Sequence, residues 1–206
     1  MNAVERIMRT APVIPVIVID RIEDAVPLAR ALVAGGLTVL EVTLRTACAL
    51  QAISEIKRAI PAAVVGAGTV ISPEDVDRAV AAGAEFLVSP GSTPGLIDAA
   101  VAKQIPILPG VATPSEAMAL AARGLSQMKF FPAQAAGGVA MLKAISGPLP
   151  SISFCPTGGI TKANAPDFLA LDNVLCVGGT WMLDKAAIAA GDWENIERQA
   201  RLASQL

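Results

Sequence analysis

The segment VIPVIVIDRIED (13–24) decides which parallel α/β fold the sequence predicts. It opens with a continuous apolar run, mostly β-branched, and leads into the helical pattern RIEDAVPLARALVAGG (21–36). Continuous apolar strands joined by helices are typical of a parallel sheet. An open doubly wound sheet normally carries a glycine-rich fingerprint after its first strand. Because the turn DRIED (20–24) contains no glycine, the segment favours a closed barrel over an open sheet.

The same strand–helix unit recurs along the whole chain. Further apolar segments alternate with Ala- and Leu-rich helical patterns, several of which open with Ser-Pro or Thr-Pro, an N-cap followed by proline at the first helical position. The predicted strands after 13–19 are TVLEVTL (38–44), AVVGAGTV (63–70), EFLVSP (85–90), IPILPGV (105–111), QMKFFP (127–132), SISFCPTGG (151–159) and NVLCVGGT (173–180). These eight units predict an α/β protein of the (β/α)8 TIM-barrel type, with residues 1–206 as a single domain.

The composition argues against several classes of protein. With 53% hydrophobic and 17% charged residues, the chain is predicted to fold around a substantial core. No apolar run is long enough to span a bilayer, so no membrane partner is expected. A net charge of -2 without a basic block, together with only 3% aromatic residues, argues against nucleic acid as a partner.

The N-terminal segment and the cysteines predict a cytoplasmic protein. MNAVERIMRTAP (1–12) lacks the hydrophobic stretch of a signal peptide and has the pattern of a short amphipathic helix. Cys48, Cys155 and Cys176 are odd in number and widely spaced, as is typical of reduced thiols in the cytosol. Cys155 and Cys176 are expected to be small core residues, since no set of metal ligands surrounds them.

The absence of histidine limits the chemistry available to the chain. Histidine is the usual acid/base group near neutral pH and the commonest metal ligand. Its absence excludes Ser-His and Cys-His pairs. Proton transfers in an enzyme of this composition would use carboxylates, lysine or water.

The second predicted strand carries polar residues that packing alone would not select. Side chains alternate along a strand, so Glu41, Thr43 and Arg45 share one face, opposite Leu40 and Val42. In a barrel that face is directed to the axis and the mouth, where the chemistry takes place. The strand is thus predicted to bring a carboxylate, a hydroxyl and a guanidinium to one space. A Glu–Arg pair that only fixes the barrel geometry is an equal alternative.

The sixth predicted strand contains a lysine within an apolar run. By the same alternation Gln127, Lys129 and Phe131 are directed inward, and every other lysine falls in a helical or loop segment. Burial disfavours the charged form of an amine, and a neutral amine is a nucleophile toward carbonyl carbon. A lysine, Glu41 and Arg45 converging without histidine predict Schiff-base chemistry on a keto acid. A structural lysine–carboxylate pair is the alternative.

Glycine pairs follow the last two predicted strands. Thr157-Gly158-Gly159 and Gly178-Gly179-Thr180 allow main-chain N–H groups to approach an anion, and a following helix N-terminus would strengthen the attraction. The loops after these two strands form the usual phosphate site of barrel enzymes. Phosphate binding is therefore favoured over simple tight turns.

The third and fourth strands supply further candidates for the site. After Gly66-Ala67-Gly68, Thr69 is placed to donate a hydrogen bond to a carboxylate, or alternatively to cap the helix that begins at Ser72-Pro73. Pro90, at the end of the fourth strand, is a candidate for one wall of the site.

These motifs together resemble the 2-keto-3-deoxy-6-phosphogluconate (KDPG) aldolase family. The resemblance runs in order across nearly the whole chain and is most specific in the fourth and fifth of its motifs. They are EVTLRT (41–46), GAGTV (66–70), SPG (89–91), KFFPA (129–133), FCPTGGI (154–160) and LCVGG (175–179). The resemblance implies a class I aldolase of the Entner–Doudoroff pathway, often also active on 4-hydroxy-2-oxoglutarate. It also implies a (β/α)8 barrel, commonly a homotrimer, whose N-terminal helix closes the bottom.

The resemblance also implies a role for each site residue. Lys129 would form the Schiff base and Glu41 would be the general acid/base. Arg45 and Thr69 match residues that hold the pyruvyl carboxylate, while Pro90 and Phe131 match the pocket walls. The phosphate end would be formed by Thr157, Gly158, Gly159, Gly178, Gly179 and Thr180. The expected ligands are a phosphorylated keto acid and pyruvate, with no metal or organic cofactor, because the iminium itself accepts the electrons.

Three other functions remain open at this level. The same chemistry could act on the galactonate epimer or on 4-hydroxy-2-oxoglutarate, although the intact Thr-Leu-Arg after Glu41 favours the gluconate substrate. A barrel isomerase or epimerase would share the phosphate loops but need no lysine within a strand. A non-catalytic barrel that binds phosphorylated metabolites would leave Glu41, Arg45 and Lys129 as a structural cluster.

Overall fold

The computed structural model describes all of residues 1–206. Its strands are Val13–Ile17 (β1), Val39–Thr43 (β2), Val64–Gly68 (β3), Phe86–Val88 (β4), Ile107–Leu108 (β5), Gly110–Val111 (β6), Gln127–Phe130 (β7), Ser153–Pro156 (β8) and Val177–Gly179 (β9). Its helices are Ala3–Met8 (α1), Ile22–Ala34 (α2), Ala49–Ala59 (α3), Pro73–Ala81 (α4), Pro94–Ala102 (α5), Pro114–Ala121 (α6), Gly138–Ser146 (α7), Ala165–Leu169 (α8), Lys185–Ala190 (α9) and Trp193–Ala203 (α10). Every predicted strand segment contains a strand, so the predicted alternation is confirmed.

The strands are parallel and form two sheets. The larger sheet has six strands in the order β5-β4-β3-β2-β1-β9, and the smaller has the order β6-β7-β8. Every paired strand runs parallel to its neighbour. The predicted α/β class with a parallel sheet is therefore confirmed. Parallel pairing also brings the carboxyl ends of neighbouring strands to the same edge, where candidate functional residues can meet.

The predicted fifth strand is divided at Pro109 into β5 and β6. Proline has no N–H to donate, so it interrupts a ladder of hydrogen bonds. β5 pairs with β4 and β6 pairs with β7, so the chain passes from the larger sheet to the smaller at this proline. Two isolated bridges, Phe154–Val174 and Thr157–Gly178, connect the region of β8 to the segment around β9.

The predicted Ser-Pro and Thr-Pro helix starts are present. Ser72, Thr93 and Thr113 are N-caps whose side-chain oxygens each accept a hydrogen bond from an N–H group three residues later, with proline in the first turn. Glu116 completes a capping box in α6 by accepting from the N–H of Thr113. Because these bonds satisfy N–H groups that the helix leaves free, they fix where each helix begins. None of the helices combines the length and apolar character needed to cross a bilayer.

The hydrophobic core has two parts that correspond to the two faces of the strands. The larger cluster includes Leu40, Val42 and Leu87, which contact the helices. The opposite face contributes a smaller cluster, whose members are Met8, Ile14, Val39, Phe86, Val88, Leu108, Cys155 and Cys176. The predicted N-terminal helix is present as α1. It contributes the fully buried Met8 to the smaller cluster, and Asn2 beside it donates a hydrogen bond of 2.6 Å to Gln127 at the start of β7.

Candidate active site

Lys129 of β7 and Glu41 of β2 meet between the two sheets. The Nζ of Lys129 lies 3.3 Å from Oε1 of Glu41, although the residues are 88 positions apart. Their side chains are only 5% and 4% exposed. The alternation along each strand explains the encounter, since Leu40 and Val42, like Met128 and Phe130, pack on the helix side. The inward direction predicted for both residues is confirmed.

Glycines next to the pair make room for it. A β-carbon at Gly68 would lie 2.6 Å from Cγ of Glu41, closer than non-bonded carbons approach. Gly110 is the register partner of Lys129, and a β-carbon there would collide with the main chain of Pro90. The loop after β4 can therefore lie directly against β6, and Pro90 stands beside the lysine strand, as a wall residue would.

The Lys129–Glu41 pair is enclosed by its surroundings. Glu41 is the only hydrogen-bond partner of the Lys129 amine, and Oε2 of Glu41 accepts from no protein donor. The ring of Phe131 has its centroid 5.3 Å from Nζ. Little solvent reaches the pair, so each group is the main polar neighbour of the other. The 3.3 Å contact places the amine and the carboxyl group within reach of each other for direct proton transfer during a reaction.

Arg45 and Thr69 form a second polar group at the mouth. The Nε of Arg45 donates to Oγ1 of Thr69 at 3.1 Å, and the guanidinium forms no ion pair within the chain. Because Thr69 accepts this bond, its own hydroxyl proton stays available for a ligand. Thr69 has a φ of 59°, which is uncommon for a β-branched residue and costs of order 1 kcal/mol. Such strained residues cluster at binding and catalytic sites.

The predicted phosphate loops line one cavity together with Arg45 and Phe131. The cavity measures about 160 Å³. Its lining residues are Val16, Arg45, Phe131, Thr157, Gly158, Gly159, Ile160, Gly178, Gly179 and Thr180. The N–H groups of Gly159, Ile160 and Thr180 bond to no acceptor of the protein. Unpaired N–H groups around a concave space, with a guanidinium on the same wall, are a favourable environment for an anion.

Residues 4–199 match the family described as KDPG and KHG aldolase. The chain belongs to this family. It is 52% identical over 200 residues to the KHG/KDPG aldolase of Escherichia coli (strain K12), an alignment that covers 97% of this chain and 94% of that protein. The family membership makes the chain an aldolase, a lyase that breaks a carbon–carbon bond.

Solved structures of KDPG aldolases superpose closely on this aldolase. The enzyme from Legionella pneumophila, with pyruvate captured at low pH as a covalent carbinolamine intermediate, is 48% identical with a TM-score of 0.96, and 98% of each chain is covered. The enzyme of Zymomonas mobilis ZM4 with 3-phosphoglycerate is also 48% identical, with a TM-score of 0.92 and coverage of 99% of this chain and 96% of that one.

Two details of the aldolase differ from the sequence expectations, and a third decides between the two alternatives for Thr69. The Thr43 hydroxyl is buried and donates to the carbonyl of Ile17, so it stabilises the strand end and does not join Glu41 and Arg45. The cap of α4 is Ser72, which leaves Thr69 free for the contact with Arg45. No helix begins directly at either glycine pair, because α8 starts at Ala165 and α9 at Lys185. The donors that these loops present to the cavity are therefore free main-chain N–H groups and not the ends of helices.

Sequence reasoning missed residues in and next to the candidate site. Val16 and Ile160 line the cavity, but apolar residues near strand ends give no signal of function. Asn164 donates to the carbonyl of Gly159 at 3.0 Å, and only its spacing from Thr161, typical of a polar turn, hints at this bond.

The cysteines are free thiols, as the sequence predicts. Cys155 is the register partner of Lys129, and it lies with Cys176 in the smaller core cluster. A hydrogen bond with Cys155, together with burial, raises the pKa of the Cys176 thiol well above its usual value. The thiol therefore stays neutral and adds no charge beneath Lys129 and Glu41.

Proposed function

We propose that this aldolase cleaves KDPG to pyruvate and D-glyceraldehyde 3-phosphate through a Schiff base on Lys129, as in the Entner–Doudoroff pathway. The observation that carries the proposal is the buried 3.3 Å contact between the Lys129 amine and the Glu41 carboxylate. The covalent carbinolamine of pyruvate in the Legionella pneumophila enzyme supports the same class of chemistry, since a carbinolamine forms when an amine adds to a ketone. The smaller substrate 4-hydroxy-2-oxoglutarate would be cleaved to pyruvate and glyoxylate by the same steps.

The reaction begins with transfer of a proton from Lys129 to Glu41. The neutral amine adds to the C2 ketone, the protonated Glu41 gives its proton to the hydroxyl of the resulting carbinolamine, and water leaves to give an iminium and the Glu41 carboxylate. Glu41, directly or through one water, then removes the C4 hydroxyl proton. The C3–C4 bond breaks, its electron pair moves into the iminium, and the aldehyde leaves. The enamine takes up a proton at C3, and water releases pyruvate and restores the amine.

The polar groups around the pair divide into two binding regions. Arg45 and Thr69 hold the keto-acid carboxylate, because the guanidinium has no carboxylate partner in the chain and the threonine hydroxyl retains a free proton. Pro90 and Phe131 form the walls of the site. The phosphate end consists of Thr157, Gly158, Gly159, Gly178, Gly179 and Thr180.

We further propose that residues 1–206 form one closed eight-stranded barrel domain. The continuity of β5 and β6 through Pro109 and the isolated bridges beside β8 and β9 support closure at both junctions of the two sheets. The burial of Met8 and the hydrogen bond from Asn2 to Gln127 support α1 as the element that closes the amino-terminal end. The aldolase is expected to assemble as a homotrimer and, with its free thiols, to work in the cytoplasm.

Reduction with borohydride in the presence of pyruvate tests the proposed function. The imine is reduced to a stable secondary amine, so mass spectrometry of the digested protein should place the pyruvate adduct on the peptide that contains Lys129. Lys129→Ala should abolish both the adduct and turnover but keep binding of glyceraldehyde 3-phosphate. Lys143→Ala, which removes an exposed lysine on α7, is the matched control and should behave as wild type. Substantial turnover by Lys129→Ala would remove the mechanism.

The same measurements separate the alternatives. A sugar-phosphate isomerase or a non-catalytic binding barrel would give no adduct with pyruvate. Comparing kcat/KM for KDPG, its galactonate epimer and 4-hydroxy-2-oxoglutarate would identify the preferred substrate. A clear preference for the galactonate epimer would replace the gluconate substrate while leaving the Schiff base in place.

A further inference from the structure

We propose that Asn164 is a positioning residue for the phosphate end, which holds the Gly159–Ile160 peptide so that the Ile160 N–H is directed into the cavity. This inference rests on the proposed function. Asn164 lies outside the cavity, so it would act through the peptide and not by touching substrate.

The hydrogen bonds of Asn164 define the orientation of its amide without ambiguity. Nδ2 donates to the carbonyl of Gly159 at 3.0 Å, and Oδ1 accepts from the N–H of Thr161 at 2.7 Å. Both partners are main-chain groups of fixed polarity, so exchanging the amide oxygen and nitrogen would break both bonds. The N–H of Asn164 in turn bonds to Oγ1 of Thr161 at 3.3 Å.

The bond to Gly159 fixes the direction of the next N–H group. The Gly159–Ile160 peptide is trans, so its carbonyl and its N–H point to opposite sides. With the carbonyl held by Asn164, the N–H of Ile160 points away from Asn164. Ile160 lines the cavity, and its N–H bonds to no acceptor of the protein.

The carbonyl of Gly159 is the last of three consecutive carbonyls, at 157–159, that accept hydrogen bonds from residues outside the cavity. The carbonyl of Thr157 accepts from the N–H of Ala133 at 2.8 Å, and that of Gly158 accepts from the N–H of Gln134 at 3.1 Å. These two bonds come from main-chain donors, which no substitution short of proline removes. Only the Gly159 carbonyl depends on a side chain.

The loop needs this restraint because its two glycines allow the main chain to change conformation easily. Gly158 and Gly159 have φ values of 98° and 77°, a region that glycine reaches easily and leaves easily. Without Asn164, the Gly159–Ile160 peptide is free to rotate, which would turn a carbonyl oxygen toward the phosphate. Asn164 thus prevents an arrangement that would repel the ligand.

Kinetics on a matched pair of substrates test the proposal: KDPG and 2-keto-3-deoxygluconate, which lacks only the phosphate. Asn164→Ala should raise the KM for KDPG about tenfold, the loss expected for one hydrogen bond, with kcat nearly unchanged. The KM for the unphosphorylated substrate should not change. Asn164→Asp keeps an acceptor for the Thr161 N–H but cannot donate to Gly159, so its KM for KDPG should rise at least as much. Asn195→Ala, on α10, is the control for the same truncation elsewhere.

The outcomes separate a positioning role from a structural one. An equal rise in KM for both substrates, or an unchanged KM for KDPG, would overturn the proposal. Pyruvate trapping reports the Lys129 site independently of the phosphate loop, so an Asn164→Ala protein that loses trapping as well as phosphate selectivity would show a general role in folding and would also overturn it. Absence of the pyruvate adduct in the wild-type protein would instead contradict the proposed function.

Discussion

Gly68 of β3 leaves the space that the carboxylate of Glu41 occupies. A β-carbon at position 68 would lie 2.6 Å from Cγ of Glu41 and still closer to its Oε1. β3 is paired with β2 along its whole length, so neither strand can shift without breaking the ladder. The main chain of one strand therefore sets where the Glu41 side chain of the next can lie.

Gly68→Ala should displace the Glu41 carboxylate from Lys129. Overpacking of a buried site costs about 1–3 kcal/mol, and a displacement of about 1 Å reduces rate about a hundredfold. We expect a lower kcat together with reduced stability to urea. Gly147→Ala is the matched control, because Gly147 has a helical φ of -63° and no atom within 4 Å of its added carbon. Wild-type kcat in Gly68→Ala would show that the position of Glu41 is not critical.

Glu41→Gln should separate imine formation from carbon–carbon cleavage. The amide keeps the shape of the side chain but cannot accept the C4 hydroxyl proton, so kcat should fall about 10²–10⁴-fold. Borohydride should still trap pyruvate on Lys129, although more slowly, because water can take the ammonium proton in place of Glu41. The control is Glu55→Gln, a half-buried carboxylate on α3 that accepts from Gln51. Failure to form any adduct would assign Glu41 an essential part in the first step.

Thr69→Gly should weaken the binding of KDPG and raise the free energy of unfolding. Glycine relieves the strain of φ 59° but has more conformational freedom to lose on folding, so the net gain should be a few tenths to about 1 kcal/mol. The hydroxyl beside Arg45 is lost, so the KM for KDPG should rise. Gln104→Gly relieves a similar φ of 54° far from the site. This control should leave the KM for KDPG unchanged. A raised KM in Gln104→Gly would show that the effect of Thr69→Gly does not come from the loss of the hydroxyl beside Arg45.

Glu116→Gln should weaken α6 in a pH-dependent way. Hydrogen bonds from the N–H groups of Ala112, at 2.7 Å, and Thr113 lower the pKa of Glu116 below its usual range. A carboxyl group whose pKa is lower in the folded state stabilises the protein above its unfolded pKa, and this contribution disappears as pH falls through the folded value. In urea unfolding, the free energy of unfolding of the variant should be about 0.5–1 kcal/mol lower than that of wild type at pH 7. In acid the two proteins should be equally stable. A difference that persists unchanged in acid would exclude the charge as its source.

The sequence predicts those features of the aldolase that depend on local periodicity. Alternation in β2 and β7 was enough to direct Glu41 and Lys129 to the inner face, and Thr-Pro pairs were enough to locate the start of α6. Features that depend on atoms distant in sequence were not predictable. The strained φ of Thr69 and its bond from Arg45, 24 positions away, arise only when loops from different strands are held together.

The contact between Lys129 and Glu41 has a consequence for refolding experiments, because Glu41 belongs to the larger sheet and Lys129 to the smaller. A molecule in which only one sheet has formed contains every helix-forming signal but has only one of these two residues in its native position. The rate at which turnover recovers after dilution from urea would then report the association of the two sheets. The change in circular dichroism would report the formation of the helices.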